Sequence, residues 1–169
     1  MKKIIVASIV ALVFTLIVVQ ISNAEMEKEG TGSGTNIYTA TTTAAPLDKE
    51  RYAVTYETLG VNISDTGEGP FHNMSTHNVG VIYFDKSGGK LVGYMTMTAP
   101  DGDKVLVELK EDKILPPPNL NKGIGKFIGG TGKFAGIEGT VEYKRYYTRP
   151  AKKGVAHGVS HSKATWKIP

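Results

Sequence analysis

Histidines, tyrosines and carboxylates are the side chains with which this chain could do chemistry; cysteine is absent, so thiol chemistry is excluded. The four histidines fall into two pairs, His72 with His77 and His157 with His161. On a helix the second pair would share a face and could hold zinc. Val155-Ala-His-Gly-Val-Ser-His161 reads as a strand, however, where four residues span about 13 Å. That is too far for one zinc to bind both rings, so these are read as surface or rim histidines and no metal is expected. Asp101-Gly-Asp103 has the opening of a calcium loop, but the third ligand position and the distal Glu are missing. Hairpin chemistry explains it better.

Glycine is densest in Gly123-Ile-Gly-Lys-Phe-Ile-Gly-Gly-Thr-Gly-Lys-Phe-Ala-Gly-Ile-Glu-Gly139. The spacing Gly130-x-Gly132 followed by Gly136 is one residue too long for a dinucleotide fingerprint. A phosphate loop would need Ser or Thr where Phe134 stands and Gly where Phe127 stands. A structural role is expected instead, with no nucleotide and no other cofactor. Acid-base work needs a positioned proton carrier in a dry cleft. His77, Tyr83, Tyr94, Glu108, Tyr143 and Arg145 are the candidate pocket residues, with Glu57 weighed beside them. Each has a plainer reading, an outward polar residue or a tyrosine bridging core and surface, so no catalytic residue is assigned. There is no Gly-x-Ser-x-Gly nucleophile motif. Phe71, Met74, Met95 and Met97 would suit an adaptable apolar wall or ordinary core packing.

The elements that must position these residues read as strands. Arg51–Leu59, Asn78–Asp85 and Lys90–Thr98 are rich in β-branched and aromatic residues, and Lys86-Ser-Gly-Gly89 supplies a hairpin loop between the last two. Ala99-Pro-Asp-Gly-Asp103 is a turn, since Pro presets φ and Gly accepts positive φ. Lys104–Lys110 alternates, with Val105, Val107 and Leu109 on one face and Lys104, Glu108 and Lys110 mostly on the other. Pro116-Pro117-Pro118 marks an extended loop. The glycine-dense stretch 123–139 suits bends and close backbone approach, and Thr140–Thr148 and Val155–Ile168 after it supply the last two strands. No window beyond residue 25 carries a helical stripe. The expected fold is all-β, a small antiparallel barrel of seven or eight strands, because closure removes exposed edges.

The first residues have their own composition. Lys2 and Lys3 precede an apolar run from Ile4 to Ile21, and Ser22-Asn23-Ala24 ends it. This predicts a signal peptide over residues 1–24 and an exported protein, periplasmic or extracellular. The alternative is an uncleaved N-terminal anchor, the run being about 18 residues long, and only then would a membrane be involved. Residues 25–46, with GTGSGT and TATTTAAP, are too poor in large apolar residues to offset ordering entropy. They are expected to be a flexible Gly/Thr-rich tether, with Ile37 and Tyr38 joining the edge of a domain over residues 47–169. Without Lys2 and Lys3, 18 basic residues face 16 acidic ones. Their dispersal excludes the basic stripe of a nucleic-acid binder.

Gly129-Gly-Thr-Gly-Lys-Phe-Ala-Gly-Ile-Glu-Gly139 resembles the glycine signature of the allene oxide cyclase/dirigent-like barrel superfamily. Thr76-His-Asn-Val-Gly80, and Gly93-Tyr94 through Asp101-Gly-Asp103, resemble a secreted, largely uncharacterised bacterial branch of it. The resemblance spans roughly residues 50 to 168. It implies an eight-stranded, calycin-like barrel with an apolar lumen open at one end. Plant relatives cyclise an unstable fatty-acid epoxide or steer phenoxy-radical coupling, often as trimers, so a homo-oligomer, trimer or dimer, is expected. None of their catalytic residues can be placed on this sequence. The first expectation is a lumen that binds a small apolar or aromatic molecule. The second is a cyclase or isomerase of the allene oxide cyclase type, and the third a structural barrel with a packed interior. A cavity of at least ~300 Å³ with an ionisable floor favours the enzyme, and the same cavity without one favours binding.

Overall fold

The computed structural model describes residues 27–115, 120–148 and 152–169. The signal segment and the Pro116-Pro117-Pro118 loop lie outside these residues. Eight strands follow one another: β1 Glu29–Pro46, β2 Tyr52–Ser64, β3 Met74–Asp85, β4 Gly88–Thr98, β5 Lys104–Ile114, β6 Asn121–Gly130, β7 Glu138–Tyr147 and β8 Val155–Lys167. Each pairs antiparallel with the next, and β8 pairs with β1, which closes the barrel.

Period-two alternation decides what faces inward. On β5, Val105, Val107, Leu109 and Glu111 are buried, while Lys104, Leu106 and Lys110 are exposed. The turn at Ala99–Asp103 forms as its residues dictate: the Ala99 amide donates to the Asp103 carbonyl at 2.8 Å, and Gly102 takes a φ of 94°.

Residues 29–46 are not a tether. They form the longest strand, paired on one side to β2 and on the other to β8. The small side chains that made this stretch look unable to fold are what its place in the barrel requires. A Cβ on Gly30 would come within 2.9 Å of the Trp166 indole, and one on Gly32 within 3.3 Å. The neighbours supply the apolar surface, and pairing on both sides satisfies the backbone.

The β2–β3, β4–β5 and β6–β7 connections gather at one end. Phe71 from the first of these stacks on Phe127 at 5.5 Å and Phe134 at 6.1 Å, and meets Trp166 edge-on at 5.1 Å. Met74, Val105, Val107 and Ile137 close around this cluster. Each such side chain buried contributes about 1.5–3 kcal/mol, so this end of the barrel carries much of the stability.

Candidate functional site

The interior is not filled. A cavity of about 1160 Å³ runs from the connection 65–73, Pro100 and Lys133 at its mouth to Glu111, Arg145 and Tyr147 at its floor. Its walls differ in chemistry. Leu91, Met95, Met97, Leu109 and Phe127 line one side, and Asn36, Thr58, Asn62, Ser160 and Ser162 line the other. Some of the polar wall is already committed, since Thr76 donates to Asn36 Oδ1 at 3.2 Å and Asn62 Nδ2 donates to the Phe71 carbonyl at 2.8 Å.

The floor is built across three strands. Glu111 on β5 is fully buried, and an unpaired carboxylate there would be costly. Arg145 on β7 answers with two bonds, Nε to Oε1 at 2.5 Å and Nη2 to Oε2 at 2.8 Å. The Tyr143 hydroxyl donates to Oε1 at 3.1 Å. These residues reach each other over β6 because Gly123 stands between them. A Cβ there would overlap the Tyr143 ring and lie 2.7 Å from Glu111 Cγ. Arg145 also rests over the Tyr147 ring, 4.7 Å from its centroid, and Tyr147 meets Tyr38 edge-on at 6.2 Å.

Burial raises the phenols of Tyr38, Tyr56, Tyr143 and Tyr147 above the ordinary tyrosine range, with the nearby Glu111 carboxylate adding to this at Tyr143. Burial works against the Arg145 charge, but its bonds to the Glu111 carboxylate outweigh that and raise it. The result is a floor of neutral hydroxyls around a matched ion pair. Two of its polar atoms, Arg145 Nη1 and the Tyr38 hydroxyl, are buried without a hydrogen-bond partner among the described residues.

Of the six candidate residues, Tyr143 and Arg145 face the lumen. The other four are on the outer face and correct the sequence reading. His77 is half exposed and pairs with Glu57 at 2.8 Å, and Tyr94 is 52% exposed. Tyr83 only accepts a long bond from Arg51, and Glu108 pairs with Lys110 at 2.9 Å on the outside. Strand parity is the reason, since each shares a face with an exposed neighbour such as Val79, Val92 or Lys110. Glu111 was missed, although the Val105, Val107, Leu109 alternation carried two residues further points it inward. His157 and His161 stand on the outer face of β8, bonded to Thr39 and Thr35 at 3.1 and 3.0 Å. His72 lies on the cavity wall near the mouth.

Fold and cavity together define a class: an all-β, closed eight-stranded antiparallel barrel with an open lumen. No known family matches the chain by sequence, and no curated protein does. Among solved structures it is similar to a pterocarpan synthase dirigent protein, at 12% identity and a TM-score of 0.49, over 88% of this chain and 94% of that one.

Proposed function

We propose that this is an exported binding barrel whose lumen takes one small molecule with an apolar flank and a neutral oxygen at its buried end. The observation that carries the reading is an unfilled cavity of about 1160 Å³ whose floor holds Arg145 Nη1 and the Tyr38 hydroxyl, facing each other but without a hydrogen bond of ordinary geometry among the described residues. A buried polar group left unpaired costs about 1–3 kcal/mol, and a ligand carbonyl, ether or hydroxyl oxygen would remove that cost. A ligand carboxylate fits less well, because Glu111 already matches the Arg145 charge. The leucine and methionine wall suits the apolar flank, and the asparagine and serine wall suits further oxygens along the other edge.

The test is native mass spectrometry of the protein isolated from its own cells, followed by Tyr38→Phe. A retained small molecule is expected in the wild type. Tyr38→Phe keeps the ring and removes the unpartnered hydroxyl, so the fold should be as stable or slightly more so. Ligand affinity should fall by about 1 kcal/mol, roughly five-fold in Kd. A protein that stays empty under gentle conditions, or an affinity indifferent to Tyr38→Phe, counts against the reading.

A second reading is a cyclase or isomerase that folds a reactive chain against the floor. It is favoured by the buried ionisable cluster of Glu111, Tyr143 and Arg145 at the floor of the lumen. Turnover that ends with Tyr143→Phe while binding persists would favour it. Tyr83 and Glu108, on the outer face, should then be replaceable without loss.

A further inference from the structure

Three connections meet at the mouth of the lumen, and they are not held alike. Residues 99–103 and 131–137 are bound to each other. Lys133 Nζ pairs with Asp101 Oδ2 at 2.5 Å, and the Lys133 amide donates to Asp103 Oδ2 at 2.9 Å. The third connection, residues 65–73 between β2 and β3, is the longest of the three. Among the described residues, no hydrogen bond or ion pair joins it to the other two.

Its two halves also differ. Residues 65–69 are exposed, and Gly67 and Gly69 take φ of 76° and 97° with nothing within 4 Å of where a Cβ would stand. Glycine there changes φ at little cost, and no neighbour resists the swing. Pro70, Phe71 and His72 turn back and line the cavity. The Asn62 side chain holds the Phe71 carbonyl at 2.8 Å, and the Phe71 ring sits among Phe127, Phe134 and Trp166. Two local costs oppose these attractions. Asn73 holds a left-handed φ of 54°, and His72 Nδ1 is buried with no hydrogen-bond partner among the described residues. Lifting the connection frees the Asn73 backbone and returns the histidine to water. One ring and one hydrogen bond are thus set against one strained backbone and one unpaired nitrogen. Such a balance leaves a minor open state within thermal reach.

We propose that residues 65–73 form a gate over the lumen, pivoting at Gly67 and Gly69 on one side and Asn73 on the other, with Phe71 as its latch. The proposal rests on the lumen being a binding site. The far end of the lumen is taken up by the Glu111–Arg145 floor, so a ligand passes through the mouth when Phe71 swings out. A bound molecule is then enclosed, and the gate sets how fast it exchanges. The tied connections 99–103 and 131–137 are the fixed frame against which the gate shuts.

Trp166 is the sole tryptophan, 4% exposed and packed against Phe71, so its quenching by acrylamide reads the gate with no ligand present. Asn62→Ala removes the hydrogen bond and leaves both rings in place. It should raise the quenching constant roughly five-fold, the weight of one hydrogen bond. His72→Phe keeps a ring, removes the unpaired nitrogen and should lower the constant. Should Asn62→Ala not fold, as circular dichroism would tell, His72→Phe tests the gate in the opposite direction. Stopped-flow exchange of the neutral fluorophore prodan, an aromatic ketone of the ligand chemistry proposed above, gives the second readout. Association and dissociation should both quicken about five-fold in Asn62→Ala and both slow in His72→Phe, with Kd shifting less than about two-fold. A side chain that merely touched the ligand would change dissociation and Kd together. Quenching indifferent to both variants, or a dissociation rate that changes alone, overturns the gate. Prodan bound by none of the proteins counts against the lumen reading instead, and quenching then decides the movement by itself.

Discussion

Glu111 and Arg145 are the most constrained residues of the lumen, and their pairing sets what the floor can recognise. A carboxylate held by two guanidinium bonds and a phenol has little capacity left, so recognition falls to the groups around it. Those groups are phenols that burial keeps neutral. This has a consequence for stability at high pH. Unfolding returns each tyrosine to an ordinary value near 10, while the folded barrel keeps the proton to higher pH. The contribution is therefore complete below about pH 10 and is lost as the pH rises above it. The slope is about 1.4 kcal/mol per pH unit for each tyrosine still protonated in the fold. Denaturant melts at mildly and strongly alkaline pH should show this loss, and Tyr38→Phe should reduce the slope by one tyrosine's share.

At the scale of the element, β6 matters for what it omits. Gly123 gives β6 no side chain where Tyr143 and Glu111 meet, so residues of β5 and β7 touch across an intervening strand. The glycine-rich stretch was legible as a place of close approach, though what approaches was not. Gly123→Ala places a methyl on the Tyr143 ring and should cost about 1–3 kcal/mol as overpacking. Thermal or denaturant unfolding of this variant measures the cost. Gly158 plays the same part beneath Tyr38 on β8. Alternation on β5 was read correctly from Lys104 to Lys110, and Glu111 escaped only because the pattern was not carried past the last valine and leucine.

For the molecule as a whole, closure depends on the strand whose sequence argued against it. β1 joins β2 to β8, and without it a closed barrel becomes an open sheet with two unpaired edges. Deleting residues 29–46 should abolish cooperative unfolding and the far-ultraviolet β signature. A removable tether would have left both intact, so circular dichroism of the truncated chain decides the matter. Closure also creates the lumen, since the same barrel that lacks edges holds a space its own side chains do not fill.

Much of this protein was written locally. The strands read over 51–59, 78–85, 90–98, 104–110, 140–148 and 155–168, the turn at Ala99–Asp103 and the lack of a helical stripe beyond residue 25 follow from β-branched periodicity, proline and glycine, which act over a few residues. The barrel class followed from those signals together with the resemblance of the glycine segment. Three things came only from the tertiary structure. β1 is a strand because large neighbours distant in sequence, Trp166 above all, need the space its glycines leave. His77, Tyr83, Tyr94 and Glu108 face outward while Tyr143 and Arg145 face inward, because register fixes which side of each strand meets the lumen, and one residue of shift exchanges the two. The Glu111–Arg145 pair joins residues 34 positions apart, and a contact of that range is settled by closure of the sheet, which no local pattern encodes.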